Sequence, residues 1–294
     1  MSVEGVISNP SLKRVSIIGL GLMGGSLAMA LRRAGLVAHI VGCGRTALTQ
    51  RALELGVIDS GTVDAGESVA ESDFVFLCTP VETSIRLLAQ IAPRLKPEAL
   101  VSDVGSTKQA FAAAAREIFG PSAAERVLPG HPLAGRELSG LANASAELFE
   151  GCVWVLTPLA RAELTAAPRN LQSALEAIGA HVIFSTPQEH DRILAYTSHL
   201  PQMLSTALAL TLEQAFRADD PGLQIHAGGL HSMLRLAGSE PAMWEQIAAS
   251  NRKNIASALE SLEAEVRKLR ESLGSADFRQ RFEKAREFAK FLKD

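Results

Sequence analysis

A glycine cluster between a strand-like and a helix-like segment constrains this chain more than any other feature. Residues 13–20 read KRVSIIGL, a short apolar run that ends in glycine. Residues 25–35, GSLAMALRRAG, repeat apolar side chains at helical spacing and close on Gly35. Between them, Gly19-Leu20-Gly21-Leu22-Met23-Gly24 spells G-x-G-x-x-G. Alone the motif is weak; a strand before it and a helix after it give it meaning. In that context Gly19 permits the tight turn, Gly21 lets a pyrophosphate approach the backbone, and Gly24 lets helix pack closely on strand. The helix start at Leu22 and Met23 then offers unpaired N–H groups to the phosphates. The pattern predicts a dinucleotide-binding α/β unit.

The rest of the first half continues this rhythm. Apolar runs at 38–43, 74–80, 99–106, 126–135, 152–158 and 181–187 alternate with helical patterns at 46–55, 82–95, 107–119 and 168–179. Continuous rather than alternating apolar strands imply a parallel sheet covered on both faces, a doubly wound Rossmann-type domain. After Pro187 no strand pattern remains. Residues 193–216 form a long helix almost without charge over its first half, which suggests burial on all sides. Residues 257–273 are amphipathic, and 276–293 are charged and helical. The expected division is therefore an α/β domain at 1–187 and an all-α domain at 188–294. About 105 residues of helix make a small core alone, so the second domain is expected to form a homodimer.

Composition excludes several classes. The 294 residues carry 29 Lys plus Arg against 32 Asp plus Glu, a formal charge of −3 with no long basic run, which argues against nucleic-acid binding. With 47% hydrophobic and 21% charged residues the chain reads as globular. No apolar run reaches the ~18 residues of a membrane span. The start, MSVEGVISNP, lacks the pattern of a secretory signal. Cys43, Cys78 and Cys152 are odd in number and far apart, so neither a disulfide framework nor a metal site is expected, and a reducing cytoplasm is.

Cofactor choice is read at the end of the second strand. An acid usually stands there to bind the ribose hydroxyls of NAD. This chain has Gly44, followed by Arg45 and Thr46. Without the acid, repulsion of a 2′-phosphate is absent, and an Arg and a hydroxyl suit that group. The expectation is NADP preferred, with NAD possible; Arg45 stacking on the adenine is the alternative. The turn Cys78-Thr79-Pro80 and Asp103, at the ends of the third and fourth apolar runs, complete the expected cofactor surface.

Two further segments carry candidate chemistry. Asp103-Val104-Gly105-Ser106-Thr107-Lys108 is a loop at a strand's C-terminal end, where ligands of such sheets bind. Ser106 and Thr107 suit such a site and equally suit capping of the next helix. Gly130-His131-Pro132-Leu133-Ala134-Gly135 places a histidine between Gly and Pro, read as a loop at the same edge, and makes it a general-base candidate.

In order along the chain, GLGLMGGS, DVGSTK, HPLAG followed by Arg136-Glu137, GCVWVLTP, EHDRILAYTSHLPQ and RLAGSEPAMW resemble the prephenate/arogenate dehydrogenase family of tyrosine biosynthesis, the TyrA type. The resemblance covers about residues 14–255. It implies oxidative decarboxylation of a cyclohexadienyl substrate with hydride transfer to NADP or NAD. By that resemblance His131 pulls on the C4 hydroxyl proton and Ser106 hydrogen-bonds near it and orients the histidine. Arg235 grips a substrate carboxylate, which a guanidinium can hold with two bonds. Glu137 and Asp191 match acids of an ionic network around that arginine. Trp244 matches a tryptophan near the pocket, and Ser198 and His199 line the substrate side chain. Gln202 stands where some members carry a histidine, so the choice between a keto-acid and an amino-acid substrate stays open.

No fused chorismate mutase is expected before the first strand and no ACT domain after the last helix, so tyrosine inhibition would act at the active site. β-Hydroxyacid dehydrogenases share the two-domain plan, but they have no counterpart of the HPLAG histidine. A non-catalytic dinucleotide-binding regulator would not need Ser106, His131 and Arg235 together.

Overall fold

The computed structural model describes residues 12–135, 139–160, 164–217 and 220–292. The chain forms two compact units. The first runs to Ile193 and takes in Ser239–Ser250; the second comprises Leu194–Gly238 and the chain from Asn251 onward. The division thus falls six residues beyond the expected 187/188 boundary, and one helical segment from the expected second domain belongs to the first unit.

In the first unit, strands β1 (Leu12–Ile18), β2 (Val37–Cys43), β3 (Ser60–Thr62), β4 (Phe74–Leu77) and β5 (Leu100–Asp103) make a five-stranded sheet. The order is β3-β2-β1-β4-β5 and all neighbours are parallel. Helices α1 (Leu22–Arg33), α2 (Thr46–Glu54), α3 (Ala65–Val69), α4 (Val81–Ile91) and α5 (Gln109–Phe119) follow successive strands. Alternate residues feed two separate cores. Ile17, Phe74, Phe76 and Leu100 join one cluster; Ile18, Val75, Leu77 and Val101 join the other. A strand buried on both faces has no polar side to show, which is why these strands read as continuous apolar runs. The exception is β3, whose sequence Ser60-Gly61-Thr62 carries no apolar signal. Pairing with β2 alone makes it an edge strand.

The remaining strands depart from the expected single parallel sheet. β6 (Gly130–Pro132), β7 (Val153–Leu156) and β8 (His181–Phe184) form a second sheet, in which β6 runs antiparallel to β7 and β7 parallel to β8. The chain first runs alongside β5, through the bridge Val101–Val127 and the bond from Leu128 N–H to the Val101 carbonyl. It then turns to pair with β7. His131 therefore lies in a short strand opposite Val155, not in the loop expected from Gly and Pro. Helices α6 (Ala123–Arg126), α7 (Ala166–Ala177) and α8 (Pro187–Leu194) complete the run to the unit boundary.

The described part of the second unit is helical. A π-turn at Ala195–His199 leads into α9 (Leu200–Ala215), which has Pro201 at its start. Proline cannot donate to the carbonyl four residues back, and the widened turn accommodates this. α10 (Gly228–Leu234) runs into a 3₁₀ turn at Arg235–Gly238. α11 (Pro241–Ser250) is the segment that belongs to the first unit, and α12 (Arg252–Ser272) and α13 (Ala276–Phe291) finish the chain. The largely apolar α9 is not buried on all sides within one chain. Only Gln202 and Ser205 are buried on it, while Leu210 is 51% exposed. Too few helices surround α9 in a single copy to cover its apolar faces. Among the described residues no helix is long and apolar enough to cross a membrane.

Candidate active site

The turns after β1, β2, β4 and β5 are held to one another at the carboxyl edge of the sheet. Gly19 N–H donates to the Cys43 carbonyl at 2.9 Å, Gly44 N–H to Thr62, Cys78 N–H to Ile18 at 2.8 Å and Val104 N–H to Leu77. This edge holds the switch point between strands wound in opposite directions, where ligands of such sheets bind. Gly19 has φ +102°, and a Cβ there would stand 2.6 Å from the Cys78 carbonyl oxygen. At Gly24 a Cβ would stand 2.0 Å from the Gly19 carbonyl oxygen and 3.0 Å from the Ile17 side chain. Both glycines are thus required by the fold. Gly21 is not: a Cβ there would meet nothing within 4 Å. That freedom fits a glycine needed by a ligand rather than by packing. Gly21 caps α1 without a side-chain bond, and no acid stands in the first turn, so the N–H groups from Leu22 and Met23 onward suit a phosphate. A dinucleotide therefore fits the residues present.

Gly44, Arg45 and Thr46 stand where β2 passes into α2. Arg45 is the N-cap residue, and it and Thr46 are exposed. The Cys78-Thr79-Pro80 turn opens α4, with the Thr79 and Ser84 hydroxyls 2.8 Å apart. Burial raises the Cys78 thiol far above its ordinary value, with the Asp103 carboxylate adding to the effect. Asp103 departs from its expected place on the cofactor surface. It is fully buried and accepts from Gly105 N–H at 2.9 Å, Gly130 N–H at 3.2 Å and the Lys108 ammonium. Lys108 also donates to the Gly130 carbonyl at 2.7 Å. The pair thus clamps both backbone groups of the residue before His131. Burial pushes Asp103 up and Lys108 down, and their mutual attraction opposes both shifts. Its three donors all lie inside the fold, and they hold the carboxylate turned inward.

His131 is 9% exposed, and its Nδ1 lies 2.9 Å from Nε2 of His190 on α8. His190 Nδ1 in turn lies 2.8 Å from Asp191 Oδ1. Asp191 also accepts Lys108 N–H at 2.7 Å and Gln109 N–H at 2.9 Å. Neither Ser106 nor Thr107 caps α5. A carboxylate more than eighty residues away does, with charge-assisted bonds that suit a helix N-terminus. Burial pushes Asp191 up, but the His190 ring and the two backbone N–H groups outweigh it and hold the carboxyl below its ordinary value. Thr107 donates to Ser250 on α11 at 2.8 Å, and Ser106 is half-buried in the loop before α5. The imidazole of His131 thus meets the His190 ring, and Ser106, expected to orient it, stands in the loop before α5.

Trp244 lies on α11, in the first unit. Ser198, His199, Gln202 and Arg235 lie in the second. His199 is buried in the π-turn, with the Asn251 amide donating to its Nδ1 at 3.2 Å. Ser198 is half-buried in the same turn. The Gln202 amide donates to the Leu236 carbonyl at 2.8 Å. The Ser205 hydroxyl donates to the Met233 carbonyl at 2.7 Å and accepts Ala237 N–H at 2.9 Å. Together these two α9 residues hold the turn that presents Arg235, which is exposed. An apolar cavity of about 320 Å³ lies beside this turn, lined by Tyr196, Pro201, Leu204, Met233, Leu236 and Leu262. Glu137 lies outside the described residues.

Comparison with known proteins accords with this geometry. Residues 27–184 match the family profile of the prephenate dehydrogenase nucleotide-binding domain, and residues 186–293 that of its dimerization domain. The prephenate dehydrogenase of Bacillus subtilis is 33% identical over 87% of this chain and 69% of its own length. The cyclohexadienyl dehydrogenase of Zymomonas mobilis is 32% identical over 90% of each chain. Among solved structures, prephenate dehydrogenase from Aquifex aeolicus, in complex with hydroxyphenyl propionate and NAD+, superposes with a TM-score of 0.82 at 31% identity and 96% coverage of both chains. By profile, sequence and fold, this chain belongs to the prephenate dehydrogenase family.

Proposed function

We propose that the chain catalyses the oxidative decarboxylation of prephenate or arogenate in tyrosine biosynthesis, with a pyridine nucleotide as oxidant. The observation that carries this reading is His131, held through its Nδ1 at the end of a buried relay in a chain of this family. A bound nicotinamide supplies the hydride acceptor. His131 Nε2 takes the C4 hydroxyl proton as C4 loses hydride. As the C1 carboxylate leaves as carbon dioxide, its electron pair enters the ring, which becomes aromatic, and the oxygen regains its proton. Ser106 hydrogen-bonds the same hydroxyl. Arg235 grips a substrate carboxylate, with Gln202 and Ser205 holding its turn. Ser198, His199 and Trp244 belong to the substrate surface in this reading, and Asp191 acts through His190 and α5.

NADP is the preferred cofactor in this reading, because no acid stands at Gly44 to repel a 2′-phosphate and Arg45 and Thr46 are exposed beside it. NAD remains usable; the Aquifex relative was solved with NAD+. Initial rates with prephenate and arogenate, each with NAD and with NADP, test the assignment. Reduced cofactor formed with release of one equivalent of carbon dioxide is expected from at least one pairing. No turnover in any of the four rejects the reading.

The assembly is a homodimer through the second unit, supported by the match to a dimerization domain and by the exposed apolar side chains of α9 and α13. Light scattering at micromolar concentration is expected to give twice the 31.2 kDa chain mass. A stable, active monomer rejects it.

A further inference from the structure

We propose that His190 is a positioning residue that sets the tautomer of His131, so that the ring presents an unprotonated Nε2 to the substrate. This rests on the reading of His131 as the base.

The argument is one of donors and acceptors. An ionised carboxylate can only accept hydrogen bonds. Asp191 is held ionised by three N–H groups: Lys108 and Gln109 from the start of α5, and His190 Nδ1. His190 must therefore carry a proton on Nδ1. A neutral imidazole with a proton on one nitrogen has a lone pair on the other. His190 Nε2 is then an acceptor, and the atom 2.9 Å away is His131 Nδ1. The bond requires the His131 proton on Nδ1, which leaves the lone pair on Nε2. The order is Asp191, His190 Nδ1–H, His190 Nε2, His131 Nδ1–H, His131 Nε2.

Burial makes the order a fixed one. His190 is 1% and Asp191 0% exposed, so water does not exchange for either partner. The rings meet edge to face, with centroids 5.1 Å apart and planes at 66°, which points the nitrogen of one ring at the nitrogen of the other. The opposite arrangement needs a doubly protonated His190 and an Nε2–H tautomer of His131. That tautomer has no lone pair on Nε2 and cannot take a proton there. When His131 becomes an imidazolium during the reaction, the same relay couples its positive charge to Asp191. The relay positions and stabilises; with its far end buried it is not an exit path for the proton.

The test reads the tautomer directly. In the full-length enzyme labelled with ¹⁵N at histidine, with His131→Asn and His190→Gln used for assignment, His131 is expected to be protonated at Nδ1 and bare at Nε2. An Nε2–H tautomer at His131 overturns the proposal. Kinetics give an independent reading. His190→Phe removes the acceptor and is expected to lower kcat at least about tenfold, short of the ~10²–10⁴ loss for the base itself, with dinucleotide affinity unchanged. His190→Gln places a carbonyl that can accept from His131 and an amide that can donate to Asp191, and is expected to recover kcat to within a few-fold. Equal losses in both variants mean a packing role and overturn the proposal, as does an unimpaired His190→Phe. An active His131→Asn instead rejects the base assignment. An inactive His131→Asn beside a fully active His190→Phe rejects positioning alone.

Discussion

The two units handle polar groups in opposite ways. The first buries charge: Asp103 with Lys108, and Asp191 with His190, are all at or below 1% exposure. Each buried charge meets several donors or acceptors from its own unit, and both clusters converge on His131, one through the Gly130 backbone and one through the imidazole ring. Among the described residues the second unit buries no Asp, Glu, Lys or Arg and leaves apolar side chains outside. Leu210, Phe282, Phe288 and Phe291 are all more than half exposed. The neutral side chains Gln202 and Ser205 hold the Arg235 turn, and Asn251 meets His199. The difference is physical: a side chain fixed inside the fold needs fixed charges and donors around it, whereas an exposed one such as Arg235 is placed by the backbone turn that carries it.

The strongest test of this contrast is His131 itself. General-base catalysis contributes ~10²–10⁴ in rate. His131→Asn is expected to lower kcat by that factor, with dinucleotide dissociation constants unchanged. A near-normal kcat removes His131 from the chemistry and leaves the buried clusters as scaffolding alone.

Next is the clamp behind it. Removing one partner of a buried ion pair costs about 3–5 kcal/mol, because the other charge is left uncompensated. Lys108→Met is expected to destabilise the protein by that amount in denaturant titration. The pairing of Lys108→Met with Asp103→Asn, which leaves no net charge behind, is expected to recover part of the loss. A single variant as stable as the parent means that this cluster holds no charge worth neutralising.

The second unit is expected to answer differently. Losing one partner of a desolvated pair costs about 2–5 kcal/mol, and the exposure of Arg235 in the single chain sets the expectation at the low end. Arg235→Gln should then raise KM for the cyclohexadienyl substrate by about thirtyfold, with thermal stability and dinucleotide binding unchanged. Steady-state kinetics with a melting curve check both. A fall in stability comparable to that of Lys108→Met erases the contrast between the units.

The smallest expected effect lies at the cofactor edge. Arg45→Ala should reduce the NADP-over-NAD ratio of kcat/KM by about tenfold, from the low end of the roughly 1.5–3 kcal/mol of a charge-assisted bond. A parent enzyme that favours NAD, or a variant that keeps the full NADP preference, shows that Arg45 does not hold the 2′-phosphate.

Local patterns were enough for the frame. Strands β1, β2, β4 and β5 are runs buried on two faces, and such runs announce themselves in one dimension. Gly19 and Gly24 are also legible, since a positive φ and a close helix-to-strand contact leave a local mark. The three-residue edge strand β3 was not legible, because a strand held by backbone pairing alone carries no hydrophobic signal. His131 could be picked out by its Gly and Pro neighbours, yet its place in an antiparallel strand opposite Val155 depends on where β7 lies.

What the sequence by itself determined is the order of βα units, the glycine turn and the residue types of the site, because each follows from side-chain periodicity or from the backbone freedom of one residue. What only the tertiary structure decided is which partners those residues take. Asp103 turns inward to Lys108 and Gly130, Asp191 caps a helix eighty residues upstream, and His190 meets His131 across fifty-nine residues. Hydrogen bonds act over about 3 Å of space and are indifferent to distance along the chain, so no local pattern encodes them.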